Sequence, residues 1–122
     1  MSGREQLHQV VAGLEADVVT AEQTMIRGLP GEAVWVLLSI DGNTLVTDLG
    51  DGTLGLRPAS PDLASAVVLP LADAEEAARN WNAYHNVDTF HVKVSHFKDA
   101  LMDLIVARHQ AAKAMRERIS TP

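Results

Sequence analysis

Five histidines, His8, His85, His91, His96 and His109, are the side chains of this sequence with the chemistry to hold a metal ion. A zinc site needs three or four ligands converging at about 2.0 to 2.1 Å, and signatures such as HExxH place two of them one helical turn apart. No pair of histidines here has that spacing. His85, His91 and His96 lie along a stretch that reads as extended, where a rise of roughly 3.3 Å per residue separates neighbours by about 17 to 20 Å. Cysteine is absent, so disulfides, thiolate metal sites and a cysteine nucleophile are excluded. Neither a metal nor a cofactor is expected.

Other reacting groups also lack a motif. Ser39, Ser60, Ser65 and Ser95 stand in no G-x-S-x-G context, and Ser95 ahead of Phe97 and Asp99 reads as a helix N-cap. Asp41, Asp48 and Asp51 fall at turns, where a short carboxylate bonds the nearby backbone. The string from Asp48 to Gly52 lacks the ligand order and closing glutamate of a calcium loop. Gly50, Gly52 and Gly55 lie between strands and not ahead of a helix, so they serve turns and not phosphates. No catalytic residue is assigned. One constellation, Tyr84, His85 and His91 with a carboxylate beside the following strand, is the basis of an alternative reading as a small enzyme or ligand-binding protein.

Charge points to partners more than to chemistry. The chain of 122 residues has a net charge of -6. Residues 1 to 103 hold 6 Lys/Arg against 15 Asp/Glu, whereas residues 104 to 122 hold 4 against 1. An acidic body suits a partner with a basic surface, and the exposed-looking clusters Asp73, Glu75 and Glu76, and Asp99 and Asp103, are the candidate contacts. Arg108, Lys113, Arg116 and Arg118 are the candidate nucleic-acid contacts of a second alternative, a dimeric DNA-binding regulator. Their position at one helix end, behind Asp99 and Asp103, argues against that reading and fits the negative end of a helix dipole. With 2 Phe and 1 Tyr there is no stacking platform for single strands.

The elements that must position these residues follow from periodicity. Leu7, Val11, Leu14, Val18, Ala21 and Met25 recur at alternating intervals of four and three, which predicts an amphipathic helix over 1–28, closed by Gly28, Leu29, Pro30 and Gly31. The stripe also has coiled-coil spacing, so Leu7, Val11, Leu14, Val18 and Met25 form a candidate homodimer seam. AVWVLLSI, TLVTDL and TLGLR, separated by Asp41-Gly42-Asn43 and Gly50-Asp51-Gly52, predict a three-stranded antiparallel meander, with Ala66 to Leu69 a fourth strand. Asp73 with Glu76 has capping-box form ahead of a short helix whose Ala74, Ala77, Ala78 and Trp81 share a face. Val87, Thr89, His91 and Lys93 alternate against Asp88, Phe90, Val92 and Val94 as a return strand with Phe90, Val92 and Val94 inward. Phe97, Leu101, Leu104 and Ile105 open a last helix whose apolar bulk fades after Val106, so its second half is expected to pack lightly.

The chain thus reads as one α+β domain over 1–122: an N-terminal helix (1–28), a sheet with a short helix (33–94) and a C-terminal helix (95–119). Its N-terminus reaches Arg4 and Glu5 without an apolar core of about 7 to 15 residues, so no secretory signal and no membrane span are expected, and a cytoplasmic location follows.

Ala66-Val67-Val68-Leu69, then Asp73, Glu75, Glu76, Ala77, Trp81 and Asn82, then the strand from Val87 to Val94, form an arrangement that resembles small accessory proteins of bacteriophages and other mobile elements. The resemblance covers about half the chain and lies in core and cap residues, so it transfers a fold and no site. Proteins of this kind include host-takeover and anti-defence factors, among them inhibitors of CRISPR-Cas complexes that act by binding. The resemblance therefore implies a non-enzymatic acidic module that inhibits or modulates a host protein or nucleoprotein complex.

The histidine spacing makes one direct prediction. Zinc or nickel in modest excess leaves the melting temperature unchanged, because a ligand stabilises a fold only by binding its native state. A reproducible rise of several degrees that His91→Ala abolishes would reveal a shared ion.

Overall fold

Strand β1, Trp35–Ser39, is the apolar run at the centre of the molecule, with Val36, Leu37 and Leu38 at most 3% exposed. The computed structural model describes residues 3–120. In chain order the elements are α1 (Gly3–Arg27), β1, β2 (Thr44–Asp48), β3 (Leu54–Pro58), β4 (Val68–Leu69), α2 (Leu71–Tyr84), β5 (Val92–His96) and α3 (Phe97–Ser120), with a 3-10 turn at Asp88–Phe90 between α2 and β5.

All the strand pairs are antiparallel. β1 meets β5 along its full length, from Trp35 opposite His96 to Ser39 opposite Val92. Its other edge meets β2 at Leu38–Leu45, near the hairpin turn, and β4 at Val36–Val68 and Trp35–Leu69. The far end of the β1–β2 hairpin takes in the chain ahead of β4. There the Asp48 N–H donates to the Ser65 carbonyl at 2.8 Å and the Val67 N–H to the Val46 carbonyl at 3.1 Å. β3 covers the outer edge of β2.

Because strand side chains alternate, β1 feeds two cores. Val36 and Leu38, with Leu45, pack against Val18, Ala21, Phe97, Leu101, Leu104 and Ile105 of the two long helices. Leu37, with Val46 and Val92, packs against Ala74, Ala78 and the half-buried Trp81 of α2. The result is three layers, with the α1–α3 pair on one face of the sheet and α2 on the other.

The stripe on α1 is engaged within its own chain. Val11, Val18 and Ala21 are buried, Leu7, Leu14 and Met25 are half-buried, and α1 packs along α3. The two helices run antiparallel, with Asp17 meeting Arg108 and Glu15 meeting Arg116. The second half of α3 departs from its expected light packing: Ala112 is 2% exposed, and Ala111, Met115 and Ile119 are half-buried. Small side chains there allow close helix approach, which stands in for the missing apolar bulk. The buried Thr24 hydroxyl lies 2.9 Å from the Thr20 carbonyl and 3.0 Å from the Pro61 carbonyl, fixing the loop between β3 and β4 to α1. That loop holds Leu63 at a φ of 59°, costing about 1 to 2 kcal/mol, which burial of the leucine offsets.

Three local expectations give way to tertiary structure. Helix α2 begins at Leu71 with Pro70 as its cap, and the Ala74 N–H bonds the Pro70 carbonyl at 2.8 Å. Asp73 is therefore inside the first turn and makes no capping box. Ser95 is no N-cap either, because pairing with β1 extends β5 through His96, whose Nδ1 accepts the Lys98 N–H at 3.2 Å. Phe90 leaves the inward row: the 3-10 turn ends the strand pattern before Val92 and leaves Phe90 49% exposed.

Each sheet edge carries its own guard. On β3, the Arg57 guanidinium donates to the Leu56 carbonyl at 3.1 Å, and Pro58 has no N–H to offer. On β5, the Asn82 amide of α2 accepts the Val92 N–H at 2.8 Å and donates to the Val92 carbonyl at 3.0 Å. The side chain thus imitates the next strand. Asn82→Ala strips both partners from Val92 and is expected to cost about 1 to 3 kcal/mol, read as a lower urea midpoint at unchanged slope. An unchanged midpoint would mean that water serves the edge equally well.

Candidate functional site

The end of α2 and the turn that follows form a braced aromatic platform. The Trp81 indole N–H donates to the Phe90 carbonyl at 2.7 Å, beside the Asn82 clamp on Val92. The His91 ring meets the His85 carbonyl through Nε2 at 2.8 Å, which assigns the proton to Nε2, and its Nδ1 lies 3.6 Å from the Asp88 carboxylate. The 3-10 turn makes this contact possible by folding back a stretch that reads as extended in the sequence. The His85 ring sits among Trp81, Tyr84 and Phe90, at centroid distances of 4.5, 5.1 and 5.8 Å. Outward from this frame stand Tyr84, 83% exposed, with Val87 and Phe90 about half exposed.

Of the constellation Tyr84, His85 and His91, His91 bonds the His85 carbonyl and Tyr84 is turned to solvent. Among the described residues no three His, Asp or Glu side chains are placed to hold a metal ion.

A concavity of about 380 Å³ lies elsewhere, between the β1–β2 turn, β5 and α3. Asp41 and Asn43 come from the turn, Lys93 from β5, and Asp103, Arg108 and Gln110 from α3. The turn is tightly specified. Ser39 donates its hydroxyl to Asp41 at 2.6 Å and accepts the Thr44 N–H at 3.0 Å, while the Asn43 N–H donates to the same Asp41 oxygen at 3.0 Å. Gly42 supplies the φ of 81° that closes it. The bond from Ser39 and then that from Asn43 hold the Asp41 carboxyl below the usual carboxylate range. Arg108 has its Nε buried 3.3 Å from Asp17, without hydrogen-bond geometry. A smaller hollow lined by Ile40, Asp41, Asp88 and Thr89 lies between groove and platform.

The charged sets expected from sequence are redistributed. Asp73, Glu75 and Glu76 are exposed on α2, whereas Asp99 and Asp103 are exposed on α3, across the sheet, so the two acidic sets form no common surface. Asp103 and Arg108, from opposite sets, line the same groove. Arg108 and Arg116 are paired with Asp17 and Glu15, which leaves Lys113 and Arg118 as the exposed remainder of the basic set. Sequence reasoning missed Lys93, Val87 and Phe90. Alternation placed Phe90 inward, and a 3-10 turn has no periodic signature to correct it.

No family model matches the chain, nor does any curated protein or solved structure.

Acid stability follows from the turns. Asp41, Asp51 and Asp62 have carboxyls held below 3.8, first by hydroxyl donation from Ser39, Thr53 and Ser60 and then by backbone N–H groups. A lowered folded-state value stabilises the fold above the unfolded value and is lost as pH falls through the folded one. The urea midpoint should therefore hold down to about pH 4 and fall below it. Replacing all three with asparagine keeps the acceptor oxygen and should flatten that fall; an identical acid profile would assign it to other groups.

Proposed function

We propose that the chain is a non-enzymatic protein-interaction module whose contact surface is the aromatic platform of Tyr84, Val87 and Phe90. One observation carries this reading: exposed apolar side chains of one short segment are held on a frame of side chain-to-backbone hydrogen bonds. Aromatic anchors dominate binding energy at protein interfaces, and a surface fixed before contact loses less entropy on binding. The net charge of -6 and the fully exposed Asp88 beside the platform favour a partner with a basic surface. The mobile-element resemblance extends the proposal to inhibition or modulation of a host protein complex.

The test compares wild type with Tyr84→Ser/Phe90→Ser as baits in a lysate of host cells at low salt. Both positions are exposed, so the melting temperature should stay constant. The expected result is a protein retained by wild type and lost by the variant, with at least about a tenfold weaker Kd in the purified pair. Asp88→Lys should slow association at low salt and have less effect as salt screens the charge. Equal retention by the variant, or turnover of a small molecule by the purified chain, would replace this reading.

A further inference from the structure

The groove between β5 and α3 contains an arrangement that the interaction reading does not use. Lys93 lines its sheet side and Asp103 its helix side. Both are exposed, and among the described residues neither has an ion-pair partner, in the other or elsewhere. Of the charges next to them, Arg108 is paired with Asp17, while the Asp41 carboxylate accepts hydrogen bonds from the neutral Ser39 and Asn43 groups and keeps its charge. What remains is one free ammonium and one free carboxylate lining a shared hollow of about 380 Å³, within the size range of small-molecule sites. Ala100 and Leu104 belong to its apolar lining.

We propose that this groove binds a zwitterionic small molecule of the α-amino acid class, its carboxylate facing Lys93 and its ammonium facing Asp103. The charge balance of the lining selects this class. An anion alone would meet Asp103 and Asp41, and a cation alone would meet Lys93 and Arg108, so a singly charged ligand gains one attraction and incurs one repulsion. A molecule carrying both charges gains both attractions. Arg108, with its Nε side turned to Asp17, adds a planar donor suited to a carboxylate. The groove lies on the α3 side of the sheet and the platform at the end of α2, so this site stands independently of the protein-interaction reading.

The experiment is an amide chemical-shift titration of the whole chain with L-glutamine, using propionate and ethylammonium as half-charged controls. Saturable shifts are expected at 40–43, at Lys93 and over 103–110, with each control binding at least about tenfold more weakly. Lys93→Gln and Asp103→Asn should each weaken glutamine binding by about tenfold at unchanged melting temperature, since both side chains are exposed and unpaired. Arg79→Gln, on α2, should leave it unchanged. Absence of saturation, propionate or ethylammonium binding as tightly as glutamine, or shifts centred outside the groove would each overturn the proposal.

Discussion

A single strand buried on both faces is the constraint from which the rest of the structure follows. β1 places Val36 and Leu38 in one core and Leu37 in the other, so each face of the sheet needs its own helical cover. Two long helices meet the first need and α2 the second. The chain must therefore cross from one side to the other, and the segment from Pro58 to Pro70 makes that crossing by running through the open end of the β1–β2 hairpin. Its backbone hydrogen bonds go to β2 and then to β1, which accounts for polar groups that would otherwise be buried without partners. Fixing this loop needs Thr24 below it and a left-handed Leu63 within it.

Polar side chains in this protein do much of the work usually left to backbone pairing. Asn82 completes the edge of β5, Arg57 occupies a carbonyl on β3, and Ser39 with Asp41 shapes the central hairpin turn. Guarded edges remove the simplest route to strand-on-strand association. The exposed features that remain are side chains, those of the platform after α2 and of the groove against α3. The same Trp81 and Asn82 that brace the platform also attach α2 to the chain leading into β5.

Pairing of α1 with α3 decides what the charged residues are free to do. Two of the four basic side chains near the C-terminus meet carboxylates of α1. Exposed pairs of this kind add little stability, and their larger effect here is on which charges remain available. Among the described residues, Lys93 of β5 and Asp103 of α3 are left without ion-pair partners at the groove, and the acidic residues of α2 are separated from them by the full thickness of the sheet.

The sequence by itself determined the kind and order of the elements, because each is written in local terms: a period near 3.6 for α1, α2 and α3, alternation and apolar runs for the strands, and Asp-Gly-Asn or Gly-Asp-Gly at the turns. The α+β class and most element boundaries were legible for that reason. It also shows that the 122 residues contain no cysteine. Only the tertiary structure decided which residues share a surface. The burial of α1's stripe against α3, the extension of β5 through His96 and the outward turn of Phe90 each depend on partners distant in sequence. The platform was half legible, since Tyr84, His85 and His91 stand close in the chain, but its orientation was set by a 3-10 turn and by hydrogen bonds from Trp81 and Asn82. The groove was not legible at all. Its walls come from residues 40–43, 93 and 103–110, and periodicity describes each segment's own face without saying which faces meet.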